Sequence, residues 1–260
     1  MQETDLNLLI NAARASGEIA MSFFQNDAKT WDKEDGTGPV TEADLAVNAH
    51  LEEALRSARP DYGWLSEESP DSIARQSKEC VFIIDPIDGT RSFIEGSNTW
   101  AHSLAIARHG VVTAAVIFLP MRDLLYSAEL GGGAFLNGER INASAQLGYS
   151  GSKILATKPS LDAKHWGTAG PPVFDRHHRP SLAYRLSLVA QGSFDAMLTL
   201  RPSWEWDIAA GALIVSEAGG QISDKTNAPL VFNGVDPRLN GVVAAGTALH
   251  QSLITDLTQA

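Results

Sequence analysis

Cysteine is nearly missing from this chain of 260 residues: Cys80 stands alone. That excludes an internal disulfide and a cysteine-based zinc site, fits a reducing cytoplasm, and leaves Cys80 as a small hydrophobe beside a strand. Long apolar runs are missing too. No stretch approaches the roughly 18 consecutive apolar residues of a membrane span, and "MQETDLNLLI" has no basic segment leading into an apolar one. Neither a membrane anchor nor export is expected. Basic residues are few, 20 against 31 acidic, giving a formal charge of -11, and none cluster into a stripe able to follow a phosphate backbone. A nucleic-acid polymer is therefore not an expected partner. A small anionic ligand is, provided that something local, such as a bound metal, reverses the field.

The 44% of hydrophobic residues is enough for a substantial core. Leu6, Leu9, Ile10, Ala13, Ala20, Met21 and Phe24 recur at three- and four-residue spacings and predict a helix over 5–24. "KEDGTGPVTEAD" breaks it, and Thr41-Glu42-Ala43-Asp44 has the form of a capping box opening a second helix with Leu45, Leu51 and Leu55. "CVFIID", "WAHSLAIA", "VVTAAVIFL" and "LLYSAEL" then read as consecutive, mostly antiparallel strands, with "SKILAT" and "AMLTL" as later ones and helices at 181–191, 206–218 and 248–257. Strands and helices grouped in this way predict a layered α+β fold rather than a regular βαβ repeat. The glycine- and proline-bearing "TAGPPVFDRHHRP" is the expected irregular connection between two halves.

"FIIDPIDGTRSF" raises a chemical question. Asp85 ends an apolar strand, Pro86 is expected to stop it, and Asp88 turns back toward the same point. Two carboxylates about 4 Å apart repel by roughly 4 kcal/mol at an effective dielectric near 20. A solvated turn would relieve that, and so would a cation; all-oxygen ligands favour a hard one, Mg²⁺ before Ca²⁺ or Mn²⁺. Gly89 lets a backbone approach a ligand closely, and a helix starting at Thr90 would present free N–H groups to an anion. A metal beside an anion pocket suggests a phosphate ester, whose hydrolysis bound metals assist by activating water and neutralising oxygens. Further acids stand at Glu67 and Glu68 in "GWLSEES", at Asp207 in "WDIAAGALIVSEAGG" and at Asp44. Singly, they read as loop charges, a helix N-terminal acid and a capping residue.

Together and in this order, "GWLSEES", "DPIDGTRSF" and "WDIAAGALIVSEAGG" closely resemble the signature segments of the inositol monophosphatase family, Mg²⁺-dependent and lithium-sensitive phosphatases, and the resemblance covers nearly the whole chain. It implies a layered α-β-α-β-α fold with a mostly antiparallel N-terminal sheet and a second C-terminal sheet. An N-terminal half, 1–145, would carry most metal ligands, and a C-terminal half, 146–260, would contribute Asp207 and the substrate side, with the site at their junction. Glu67, Asp85 and the Ile87 carbonyl would hold one Mg²⁺, and Asp85, Asp88 and Asp207 a second. A weaker third ion would bind through Glu67 and water, and Li⁺ would inhibit. The phosphate would rest on Gly89 and Thr90, with the Thr90 hydroxyl contacting the attacking water and oriented by Asp44. Lys33 matches a lysine of a mobile loop near the metals. The implied reaction is in-line attack by metal-activated water without a phosphoenzyme, in a cytoplasmic homodimer; His102, His177 and His178 lie outside every matching segment.

The shared metal site does not choose the ester. Inositol-specific members carry a glutamate shortly before the Trp-Asp pair, where this chain has Thr199 or Leu200, and they follow Asp-Gly-Thr with a small residue and asparagine, where it has Arg91-Ser92. A cation at Arg91, and another at Arg201, would suit a second phosphate. The expected substrate is a 3'(2'),5'-bisphosphate nucleotide, ahead of inositol monophosphate and then histidinol phosphate.

Overall fold

The computed structural model describes residues 3–26, 28–33, 36, 38–167 and 170–257. Helix α1 (Asp5–Phe23) starts where the Thr4 hydroxyl accepts from Asn7 N. Its buried stripe is Leu8, Leu9, Ala12, Ala13, Ser16, Gly17 and Ala20, while Met21 is exposed. This face is turned from the one that the large residues predict, because small residues let the helix lie close to the sheet: a Cβ on Gly17 would stand 2.7 Å from the Phe118 ring. Strands β1 (Thr30–Asp32) and β2 (Pro39–Thr41) pair antiparallel as a hairpin. Helix α2 (Glu42–Ala58) follows with the expected capping box, Thr41 and Asp44 each holding the other's backbone. It buries Val47, Leu51 and Leu55 and leaves Leu45 exposed.

Seven strands form the first sheet in chain order: β3 (Gly63–Ser66), β4 (Cys80–Asp88), β5 (Ala101–Arg108), β6 (Val111–Leu119), β7 (Leu124–Glu129), β8 (Gly133–Leu136) and β9 (Glu139–Arg140). Only β3 and β4 run parallel. Strand period sorts the side chains: Phe82 and Ile84 pack toward α1 and α2, Val81 and Ile83 toward the middle of the molecule. Pro86 does not stop β4. The strand runs on to Asp88 through a bulge, since Asp85 pairs with Ser103 and Asp88 with Ala101, which places one extra residue on β4.

The second sheet joins β10 (Lys153–Ala156), β11 (Asp175–His177), β12 (Ala196–Thr199), β14 (Gly220–Ser223) and β16 (Val242–Gly246) in the order β11-β10-β12-β16-β14, and β13 (Ser203–Trp204) pairs with β15 (Arg238–Leu239) apart from it. Helices α4 (Leu182–Ala190) and α5 (Glu205–Glu217) lie between the sheets, and α6 (Thr247–Asp256) covers the outer face with Leu249, Leu253 and Ile254. The result is a layered, mixed α+β fold. "TAGPPVFDRHHRP" is not the link between the sheets. Its Asp175–His177 segment is edge strand β11, parallel to β10, while Thr168 and Ala169 lie outside the described residues; residues 141–152 make the crossing. No helix among the described residues is long and apolar enough to cross a membrane.

Candidate active site

The bulge at the end of β4 opens into a cavity of about 650 Å³ between the sheets, lined by Lys33, Glu67, Asp85, Ile87, Asp88, Gly89, Thr90, Arg91, Arg201 and Asp207 among others. Parallel pairing carries Glu67 to it: beyond β3, Glu67 N still donates to Ile84 O at 3.1 Å, which sets Glu67 beside Asp85. Asp207 lies in the first turn of α5, whose start is tied to β5 where Ser103 Oγ donates to Trp206 O at 2.8 Å. Glu67, Asp85 and Asp207 each bring a ligand oxygen within 4.8 Å of the others.

Asp85 is the extreme case. It is 1% exposed, and among the described residues neither carboxylate oxygen has a hydrogen-bond partner. Burial, then the charges of Glu67, Asp88 and Asp207, push its pKa well above the ordinary carboxylate value. Burial, with Asp88 and Glu67 beside it, does the same to Asp207. Orphaned oxygens converging with two other acids suit a hard divalent cation, which supplies the missing partner for each.

Asp88 is held differently. Its Oδ2 accepts from Ser181 Oγ and from Ala183 N, both at 2.6 Å, at the N-terminus of α4. Burial still pushes its pKa up to about 6, against those bonds and the nearby Arg185. Arg185, itself buried, binds the Arg179 carbonyl and, at 3.1 Å, that of Pro180, so it ties down the segment leading into α4. Ser181 could be read as a helix cap from its place before an apolar run, but a second partner 93 residues away carries no local signal.

Gly89 sits at φ 101°, where a side chain is strained, and is the N-cap of the short helix α3 (Thr90–Ile94). The Thr90 hydroxyl lies 3.0 Å from Asp44 Oδ1 and 3.2 Å from the Ile87 carbonyl. Asp44 Oδ2 accepts from Thr41 N at 2.8 Å and from Thr41 Oγ1 at 2.6 Å, so the capping box also orients the aspartate that faces Thr90. Burial raises its pKa to about 6 despite these bonds. Lys33 Nζ is 2.7 Å from both Glu67 and Glu68. Burial works against the ammonium, but the two glutamates outweigh it and raise its pKa. Glu68, buried beside Glu67, is pushed up to about 7.

At the mouth, Arg91 and Arg201 are exposed. Thr199 and Leu200 are buried in and beside β12, and neither is in the cavity lining; Arg201 follows them into it. His178 also lines the cavity, although no matching segment includes it. His177 pairs instead with Asp175 at 2.7 Å, and His102 is fully buried. Trp204 and Trp206 stack on this wall, their ring centroids 4.7 Å apart and their planes 10° apart.

The model of the inositol monophosphatase family matches residues 1–260. An inositol-1-monophosphatase of Mesorhizobium japonicum is 32% identical over 259 residues, covering 95% of this chain and 92% of the relative. The Nus factor SuhB of Escherichia coli K12 is 34% identical over 252 residues, covering 93% of this chain and 90% of SuhB. Among solved structures, an IMPase of Thermotoga maritima superposes with a TM-score of 0.83 at 27% identity, covering 96% of this chain and 95% of that one.

Proposed function

The chain belongs to the inositol monophosphatase family of phosphoric monoester hydrolases, and from that premise we propose that it hydrolyses inositol monophosphate with Mg²⁺. The observation that carries the metal-dependent reading is Asp85, buried beside Glu67, Asp88 and Asp207 with no hydrogen-bond partner among the described residues. Glu67, Asp85, Asp88, Asp207 and the Ile87 carbonyl would hold the ions. Bound there, divalent ions lower the pKa of water and neutralise phosphoryl oxygens.

The chain's own groups do the rest. Thr90 Oγ1 gives its hydrogen to Asp44 Oδ1, which leaves an oxygen lone pair to accept a hydrogen from the attacking water. Thr41 holds Asp44 Oδ2 and so fixes the atom that receives the hydroxyl hydrogen. The N–H groups of Gly89 and Thr90, at the start of α3, would bind the phosphate. Ser181 and Ala183 fix one oxygen of Asp88 and leave the other for the site.

A relative named inositol-1-monophosphatase, similar over 95% of the chain, supports the inositol ester as the first substrate. The exposed guanidiniums of Arg91 and Arg201 at the cavity favour a second reading, a 3'(2'),5'-bisphosphate nucleotide whose other phosphate they would bind. The deciding experiment measures phosphate release with Mg²⁺ from inositol 1-phosphate, 3'-phosphoadenosine 5'-phosphate, histidinol phosphate and fructose 1,6-bisphosphate, with Asp88→Asn as control. Preferred release from inositol 1-phosphate, suppressed by Li⁺ and lost in Asp88→Asn, is expected. Preference for the nucleotide moves the assignment to the second reading, and an active Asp88→Asn enzyme sinks the ion-site assignment.

A further inference from the structure

The extra residue on β4 leaves Pro86 and Ile87 facing a single residue of β5, His102, between the pairs Asp85↔Ser103 and Asp88↔Ala101. A bulge leaves ladder groups without their regular partners, and Pro86 has no N–H, so its carbonyl is the one backbone group by which that residue can be anchored. His102 supplies the anchor: Nδ1 meets the Pro86 carbonyl. A carbonyl can only accept, so Nδ1 carries the ring proton. The imidazole is 0% exposed, against the rings of Trp100 and Phe118 at centroid distances of 5.5 and 6.3 Å, and its Nε2 is buried with no hydrogen-bond partner among the described residues. Such a site keeps the ring neutral, and burial pushes its pKa down to about 4. The next carbonyl, that of Ile87, lies 3.2 Å from Thr90 Oγ1 on the cavity side.

We infer that His102 is a positioning residue for the ion site: by holding the Pro86 carbonyl in the core, it sets the peptide planes of the bulge and so the directions in which Asp85, the Ile87 carbonyl and Asp88 face the cavity. The inference rests on the reading of those three as ion ligands. A hydrocarbon of similar bulk would fill the space but leave a buried carbonyl without a donor, which the backbone relieves by rotating the peptide. Asparagine would keep the donor, since its amide nitrogen lies near the place of Nδ1.

The test combines a spectroscopic signature with a rescue. Long-range ¹H–¹⁵N spectra of the imidazole should show the Nδ1–H tautomer for His102, with Nε2 unprotonated. Calorimetric titration with Mg²⁺ should find His102→Phe weaker by about tenfold or more, as for other residues that orient metal ligands, and His102→Asn close to wild type. An Nε2–H tautomer overturns the inference. So does a folded His102→Phe protein that binds Mg²⁺ as tightly as wild type, or an asparagine variant as weak as the phenylalanine one. Should His102→Phe not fold, the tautomer and the asparagine variant decide. A wild-type protein that takes up no Mg²⁺ sinks the ion-site reading itself, which the tautomer measurement separates from a failure of the hydrogen bond.

Discussion

Asp85 shows how a single residue can be left unstable by the fold that positions it. It is buried, no donor among the described residues reaches it, and Glu67, Asp88, Asp207 and Glu68 stand near. Its neighbours share the condition more mildly: Asp44 and Asp88 rise from 3.8 to about 6, and Glu68 rises from 4.5 to about 7. Groups with raised pKa values bind more protons in the folded chain than in the unfolded one across that window. Stability of the ion-free protein should therefore be fully present below about pH 4 for these groups and fall as pH rises toward about 7. Melting temperatures followed by circular dichroism should show this fall in wild type relative to Asp85→Asn, and added Mg²⁺ should reverse it by binding the folded state alone. Asp85→Asn should melt higher than wild type at pH 7 without ions and gain nothing from Mg²⁺. Buried His102, neutral down to about pH 4 in the folded chain, adds stability over the same rise, so a stability of wild type relative to Asp85→Asn that does not fall from pH 4 to 7 would contradict the account. The acids were legible in the sequence because they stand in long motifs with glycine, proline and threonine at fixed offsets. Ser181, Arg185 and His102 were not, because each acts on a group that only the tertiary fold brings near.

At the scale of elements, the spacing of α4 and α5 sets the site's width, since α4 begins at the anchor of Asp88 and α5 carries Asp207 in its first turn. Gly211 permits that spacing. A Cβ there would lie 2.4 Å from Leu186 Cδ1 and 2.5 Å from Leu186 Cβ, closer than atoms can pack. Gly211→Ala should destabilise the protein by about 1–3 kcal/mol through overpacking, read as a lower midpoint in urea at unchanged slope. A midpoint at or above the wild-type value would show that the helices part without loss. Elements with strong period were legible: β5 to β7, β4 as far as Asp85 and the capped start of α2 stand where the pattern puts them. Strand β11 was not, because three residues on a sheet edge, close to prolines, show no alternation to read. The stripe of α1 was misplaced because packing against Phe118 selects small side chains over large ones.

For the whole molecule, the middle core joins residues of both sheets: Leu65, Val81 and Ile83 from the first pack in one cluster with Leu155, Met197 and Val242 from the second. Neither sheet can expose that face without losing the burial that both share. Urea unfolding should therefore follow one transition by far-ultraviolet dichroism and by tryptophan fluorescence, with coincident midpoints. Two separated midpoints would make the halves independent. Layering of this kind was legible from the grouping of strands and helices, whereas turn chemistry alone favoured "TAGPPVFDRHHRP" over 141–152 as the crossing. The stacked indoles of Trp204 and Trp206 have a practical consequence at this scale. They stand where β13 runs into α5 and form part of the wall against which any occupant must lie. Rings this close and nearly parallel couple their electronic transitions, so the protein carries its own chromophore at the seam, and the arrival of an ion or an ester can be watched in its emission and near-ultraviolet ellipticity without a label.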